Sequence, residues 1–158
     1  MEEAVPQGNA PELDRFENFV ELINALHKEI ERIKAAEAAR LGFKGGDVMC
    51  LYYLAKHPEG LTASELARKT DVSRAAMSRT VTRLADEGLV EIGDGTADAT
   101  SRYRAPVRLT ESGKEAAAPI EDIARSVLDE TGAVLTEESR MQMYDTLGRV
   151  LTVLQNFD

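Results

Sequence analysis

The chain has 158 residues, 43% hydrophobic and 30% charged, the size and composition of one domain with appendages and a buried core. One cysteine and two histidines exclude an internal disulfide framework and a cysteine-based zinc site, and leave little for metal or general-base chemistry. No apolar run approaches the ~18–20 residues that span a bilayer, and the start, MEEAVPQGNAPE, is acidic where a leader would be basic. The expectation is therefore a cytoplasmic protein that binds rather than catalyses, with no cofactor, no metal and no membrane partner.

A net charge of −9 argues against nucleic acid until the charges are counted by segment. Residues 1–47 carry six Lys/Arg against ten Asp/Glu and residues 111–158 four against ten, but residues 62–110 carry eight against seven. Within that middle, residues 66–84 hold Arg68, Lys69, Arg74, Arg79 and Arg83 against Asp71 alone. A basic stripe on an acidic body is the footprint of phosphate contacts confined to one face. A solvated helix face would carry the same charges.

Residues 1–11, with Pro6, Gly8 and Pro11, have little to bury and are expected to form a flexible arm. From Leu13 the apolar residues Phe16, Phe19, Val20, Ile23, Leu26, Ile30 and Ile33 follow at spacings that predict a helix to about Arg40, with a stop at Leu41-Gly42. A stripe of that length packs against another long helix, within the chain or across a dimer. Gly45-Gly46 is expected to break the chain, and the run from Asp47 to Lys56 to form a short buried helix ending near His57-Pro58.

Thr62-x-x-Glu65 is a capping box that opens a short helix carrying Leu66 and Ala67 inward. Thr70-Asp71-Val72 is a tight connection, and Ser73 caps a helix from Arg74 to about Glu87, stopped by Gly88. Leu89 to Ile92 alternates in the manner of a strand, Gly93-Asp94-Gly95 has turn chemistry, and Tyr103 to Leu109 returns as a second strand. Pro106 confines that return to an edge or an irregular ladder. Thr110 caps a further helix with Ile120, Ile123, Val127 and Leu128 on one face, interrupted by Gly132. Thr136-x-x-Ser139 opens the last helix, with Met143, Leu147, Val150, Leu154 and Phe157 at heptad-like spacing.

Residues 62–87 thus fit a helix-turn-helix. On its second helix Met77, Val81 and Leu84, with Val72 just before, are expected to pack on Leu66. The other side carries Arg74, Ala75, Ser78, Arg79 and Thr82. Small side chains at 75 and 78 let the backbone approach base edges, Arg79 is long enough for a bidentate contact to guanine, and Ser78 and Thr82 can bond bases or phosphates. The following hairpin would be a wing with Arg102 and Arg104 near its tip, suited to phosphates or an adjacent minor groove. The candidate DNA-binding residues are Ser73, Arg74, Ala75, Ser78, Arg79, Thr82, Arg83, Arg102 and Arg104. A hairpin that merely packs accounts for the apolar side, but not for an exposed side without carboxylates in a chain rich in them.

With Leu61-Thr-Ala-Ser-Glu-Leu-Ala67, Val72-Ser-Arg-Ala-Ala-Met-Ser-Arg79, Arg83-Leu-Ala-Asp-Glu-Gly-Leu-Val90 and Leu109-Thr-Glu-Ser-Gly113 in this order, the sequence resembles the MarR family of winged helix-turn-helix regulators. The resemblance implies a mainly α fold in which long N- and C-terminal helices form a dimerisation platform. The arm would be 1–11, the helical dimerisation region 12–41 and 111–158, and the winged domain 45–110. It further implies a homodimer with recognition helices in successive major grooves of double-stranded DNA, wings at the flanks, and repression relieved by a small molecule. Ser101 and Tyr103 stand where the family's wing usually carries an acidic residue and an arginine, with arginines displaced to 102 and 104. The Gly45-Gly46 start of the second helix is also atypical.

Cys50, between Met49 and Leu51, reads as a small buried apolar residue. His27 and His57 form no i, i+4 pair and are not expected to hold a metal. Phe16, Phe19, Met49, Tyr52 and Tyr53 concentrate aromatic and soft side chains in the first two helices. They are candidates to line a pocket for a small aromatic effector, and equally candidates for plain core. The sequence therefore reads as a sequence-specific DNA-binding transcription regulator, a ligand-responsive repressor acting as a homodimer on a pseudo-palindromic operator. A winged-helix protein–protein adaptor without DNA binding is the alternative.

Overall fold

The structure is a computed structural model that describes residues 12–93 and 105–157. The expected arm and residues 94–104, which include Ser101, Arg102, Tyr103 and Arg104, lie outside the described residues. The elements in chain order are α1 (Glu12–Leu41), α2 (Gly45–Lys56), α3 (Ala63–Thr70), α4 (Arg74–Asp86), β1 (Val90–Ile92), β2 (Val107–Leu109), α5 (Glu111–Gly132) and α6 (Glu137–Gln155). None of the described helices is long and apolar enough to cross a membrane.

Four helices start where a hydroxyl residue can satisfy amides that have no partner within the helix. Thr62 Oγ1 accepts from the Glu65 amide at 3.2 Å, while the Glu65 carboxylate accepts from the Thr62 amide at 2.8 Å. Ser73 caps α4 through the Ala76 amide at 3.1 Å, Thr110 caps α5 through Gly113 at 3.0 Å, and Thr136 caps α6 through Ser139 at 3.1 Å. The start of α2 differs from the expected break, since Gly45 and Gly46 belong to its first turn. The Asp47 carboxylate takes the Lys44 amide at 3.0 Å, which lets the helix begin at once after Lys44.

The hairpin is antiparallel, with Val90 opposite Leu109 and Ile92 opposite Val107. Among the described residues the second strand starts at Val107, directly after Pro106, which has no amide to offer the ladder; Tyr103 and Arg104 of the expected strand lie outside them. The Pro106 carbonyl still accepts from Gly93 at 2.8 Å. Leu61 bridges to Val107, tying the base of the hairpin to the residue that precedes α3. That close approach needs Gly60, where φ is +95° and a Cβ would lie 2.9 Å from the Val107 carbonyl oxygen.

The core gathers on α2. Cys50, Leu51 and Leu54 are fully covered by side chains that include Leu66, Met77, Val81, Leu84, Val107, Ala117 and Ile120. Val72, expected in this core, is exposed instead. Asp71 ends α3 in the left-handed region at φ 54°, and the Val72 amide bonds the Ala67 carbonyl at 3.1 Å, so the turn sends the Val72 side chain outward. Large apolar side chains also stay uncovered at both ends: Leu13, Phe16, Leu22, Leu26 and Ile30 on α1, and Met141, Tyr144, Leu151 and Leu154 on α6. No residue of α6 is buried.

The motif Leu109-Thr-Glu-Ser-Gly113 is a junction. The Thr110 amide bonds the Leu89 carbonyl at 3.1 Å and its hydroxyl donates to the Gly88 carbonyl at 2.7 Å. This brings the first turn of α5 so close to Leu89 that a Cβ on Gly113 would stand 1.9 Å from the Leu89 carbonyl oxygen. The obstacle is backbone, so no rotamer change relieves it. Gly113→Ala is expected to cost about 3 kcal/mol or more in urea unfolding, whereas Thr62→Ala, which removes one cap, should cost about 1 kcal/mol.

Cys50 has no exposed surface, and burial, reinforced by the nearby Asp47 carboxylate, pushes its thiol up to about 12. Only the thiolate reacts with alkylating reagents. The folded protein at pH 8 should therefore resist iodoacetamide at Cys50, and the same reagent should label it fully in denaturant; mass spectrometry of the two samples decides.

Candidate nucleic-acid interface

The helix-turn-helix is built by α3, the turn at Asp71 and α4. Met77, Val81 and Leu84 hold α4 to the core, and this fixes what its other side presents. Arg74, Ala75, Arg79 and Thr82 are exposed and Ser78 is half-buried beside them. These five expected residues therefore share one outward face. Ser73 sits at the head of the helix with its oxygen accepting from Ala76, which leaves its hydroxyl hydrogen free to donate.

The first turn of α4 carries no acidic residue, although carboxylates are favoured there by the helix dipole. Apart from the Ala76 amide that Ser73 holds, the partial positive charge of this helix start is thus open to an outside anion. The arginines differ from those elsewhere in the chain. Arg32, Arg40 and Arg140 each pair with a glutamate three residues earlier on their own helices. Arg74 and Arg79 pair with no described carboxylate. On the neighbouring α3, Arg68 and Lys69 are exposed, and the Lys69 ammonium lies 5.5 Å from the centre of the Tyr53 ring.

Arg83 departs from the expected face. Its guanidinium forks onto the carboxylate of Asp47, Nη1 to Oδ2 at 2.6 Å and Nη2 to Oδ1, across 36 positions of sequence. Asp47 is 1% exposed, and the bond to it holds the Arg83 guanidinium above its ordinary range. A buried carboxylate requires such a partner, so the Arg83 guanidinium is committed to Asp47, with about a third of its side chain still exposed. Asp47 is the residue that reading the sequence missed. An acid in the first turn of an otherwise apolar helix was the available signal, but nothing in the spacing names its partner. Arg102 and Arg104 lie outside the described residues.

A cavity of about 310 Å³ opens between α1, α2 and α5, walled by Ile30, Ile33, Val48, Met49, Tyr52, Ile120, Ile123, Val127 and Leu128, with Lys34 and Glu37 at its edge. Of the five residues expected there, Met49 and Tyr52 line it. Phe16 and Phe19 do not, because Phe19 precedes Ile30 by eleven residues, about 16 Å along a helix. Tyr53 is one position on from Tyr52 and so points to another side of α2, against Lys69. The wall supplied by α5 was not anticipated.

The sequence model of the MarR family matches residues 41–99. No curated protein matches the chain. Among solved structures, the MarR family regulator NMB1585 from Neisseria meningitidis shares 24% identity at a TM-score of 0.69, covering 92% of this chain and 95% of its own. A MarR family regulator from Silicibacter pomeroyi shares 22% at 0.72, covering 90% and 94%. MepR of Staphylococcus aureus in complex with DNA shares 21% at 0.69, covering 84% and 94%. The family match thus runs from the end of α1 through the helix-turn-helix, and over the flanking helices as well the chain has the fold of the MarR family regulators to which it is similar.

Proposed function

We propose that the protein is a sequence-specific repressor that binds double-stranded DNA as a homodimer and releases it on binding a small, largely apolar aromatic molecule. The observation that carries the reading is the outward face of α4, where Arg74 and Arg79 stand without carboxylate partners above a helix start without acids. Elsewhere the chain is strongly acidic, so a face kept clear of carboxylates is the one that tolerates phosphate. MepR, which shares the fold, has been crystallised on DNA. In this reading Ser73 and Arg74 meet phosphate, and Ala75, Ser78, Arg79 and Thr82 enter the major groove, with Arg79 forking onto guanine. Arg102 and Arg104 of the wing would take phosphates or the adjoining minor groove.

The uncovered faces of α1 and α6 support the dimer. Phe157 is 83% exposed and Leu13 78%, and contiguous apolar patches of this kind on a soluble chain mark an interaction surface. Pairing residues 12–41 and 111–158 with those of a second copy about a two-fold axis covers both helices. It also sets two α4 helices about one turn of DNA, ~34 Å, apart. The cavity between α1, α2 and α5 touches both this platform and the winged domain. An occupant that favours a different spacing of the α4 helices by about 3 kcal/mol would weaken DNA binding more than a hundredfold.

Sedimentation at micromolar concentration should give a dimer, and a monomer alone would overturn the pairing. On a duplex enriched from a randomised pool, affinity should fall steeply with salt, at a slope of about −0.9 per phosphate neutralised. Arg79→Ala should weaken binding by about 1–3 kcal/mol and relax preference at one base pair; unchanged affinity and preference would show that α4 is not the reading face. Thermal-shift screening of aromatic compounds should find one that both stabilises the protein and releases DNA, with the effect lost in Tyr52→Ala and kept in Tyr53→Ala.

A further inference from the structure

Apolar contact is non-directional. The burial of Met77, Val81 and Leu84 therefore fixes which side of α4 faces the core, but does not by itself single out one roll of the helix about its axis. A bidentate fork between guanidinium and carboxylate has one geometry. The described residues contain one such fork reaching α4 from another element, Arg83 to Asp47. It joins the last turn of α4 to the first turn of α2, where Asp47 is already held by the Lys44 amide. Alongside, a Cβ built on Gly46 would stand 3.8 Å from the Thr80 hydroxyl, so the two helices are neighbours at this end.

Arg79 is one turn before Arg83, about 6 Å along the axis and close to the same side of the helix. A roll of α4 that broke the fork would swing Arg79 with it. Resting on the DNA-binding reading above, we infer that Asp47 and Arg83 are positioning residues for DNA recognition: their ion pair sets the roll of α4 and thereby aims Arg79 and its neighbours at base edges, without itself touching DNA. Asp47 is buried and cannot meet a duplex, which separates its influence from any phosphate contact.

The test compares Asp47→Asn, Arg83→Gln, Arg83→Lys and the double variant Asp47→Asn/Arg83→Gln. The probes are a duplex enriched from a randomised pool by the wild-type protein and a mixed-sequence duplex of equal length. Each single variant is expected to bind the enriched duplex about tenfold more weakly, and the double variant no more weakly than either single one, because both remove the same coupling. Binding to the mixed-sequence duplex and the salt slope on the enriched one should stay as in the wild type. Loss of stability alone would lower the active fraction on both duplexes and leave their affinity ratio untouched.

Arg83→Lys keeps the charge but cannot fork, so it should behave as Arg83→Gln. It also decides the matter should Asp47→Asn fail to fold. The inference is overturned if Asp47→Asn or Arg83→Lys binds the enriched duplex like the wild type, if the single losses add in the double variant, or if Arg83→Gln lowers the salt slope by about one, which would make Arg83 a phosphate contact. Should the wild type enrich no duplex at all, the DNA-binding reading falls and this inference with it.

Discussion

On the twelve-residue α2 the buried Asp47, Val48, Cys50, Leu51 and Leu54 share one side, and Met49, Tyr52, Tyr53 and Ala55 are half-buried, so most of the helix has to be covered by its neighbours. The long α1 lies along it, α3 and α4 close two further sides, the base of the hairpin reaches it through β2, and the first half of α5 completes the cover. Each of the other elements in the winged domain is held in place by what it contributes to that enclosure. The same constraint explains the buried Asp47: the first turn of a covered helix brings a carboxylate indoors, and a guanidinium has to follow it. The strand β1 is held through α4 and β2 instead, and α6 is the described helix that buries nothing.

Two chemistries are kept apart on the molecule. The acidic terminal helices repel a polyanion and the arginine face of α4 attracts one, so on the proposed function a duplex approaching from solution would meet an orientation preference before any contact forms. The pairing of Arg32, Lys34 and Arg40 on α1 and of Arg140 on α6 with glutamates of their own helices sharpens the contrast. The field of the terminal helices then carries few isolated positive charges to compete for phosphate, and the docking direction is set at a distance of the order of a Debye length, about 8–10 Å.

Features governed by neighbours in sequence were legible before the structure. The four hydroxyl caps, the split of α4 into an apolar and a polar side, and the C-terminal ends of α2 at His57-Pro58 and of α5 at Gly132 all follow from residues a turn or less apart. Features that depend on distant neighbours were not. Asp47 and Arg83 are separated by 36 positions and neither announces the other. Phe16 and Phe19 share the composition of a pocket wall, but helix rise carries them away from it, and α5 supplies a wall that the first two helices alone do not suggest. Val72 has the residue type of a core position, and one left-handed residue before it turns the side chain out. In Leu109-Thr-Glu-Ser-Gly113 the pattern was visible and its reason was not, since the demand for glycine comes from a carbonyl 24 residues earlier.

The sealed thiol of Cys50 has a bearing on how motion in this protein can be observed. The chain has no tryptophan and no second cysteine, so its native state is nearly silent to thiol-directed dyes and spin labels and to indole fluorescence. One cysteine introduced at Thr82 would carry a label on α4 alone, and one tryptophan in place of Tyr52 would report the cavity alone. Two such probes would follow α4 and the cavity wall as separate signals in one sample, with no background to subtract.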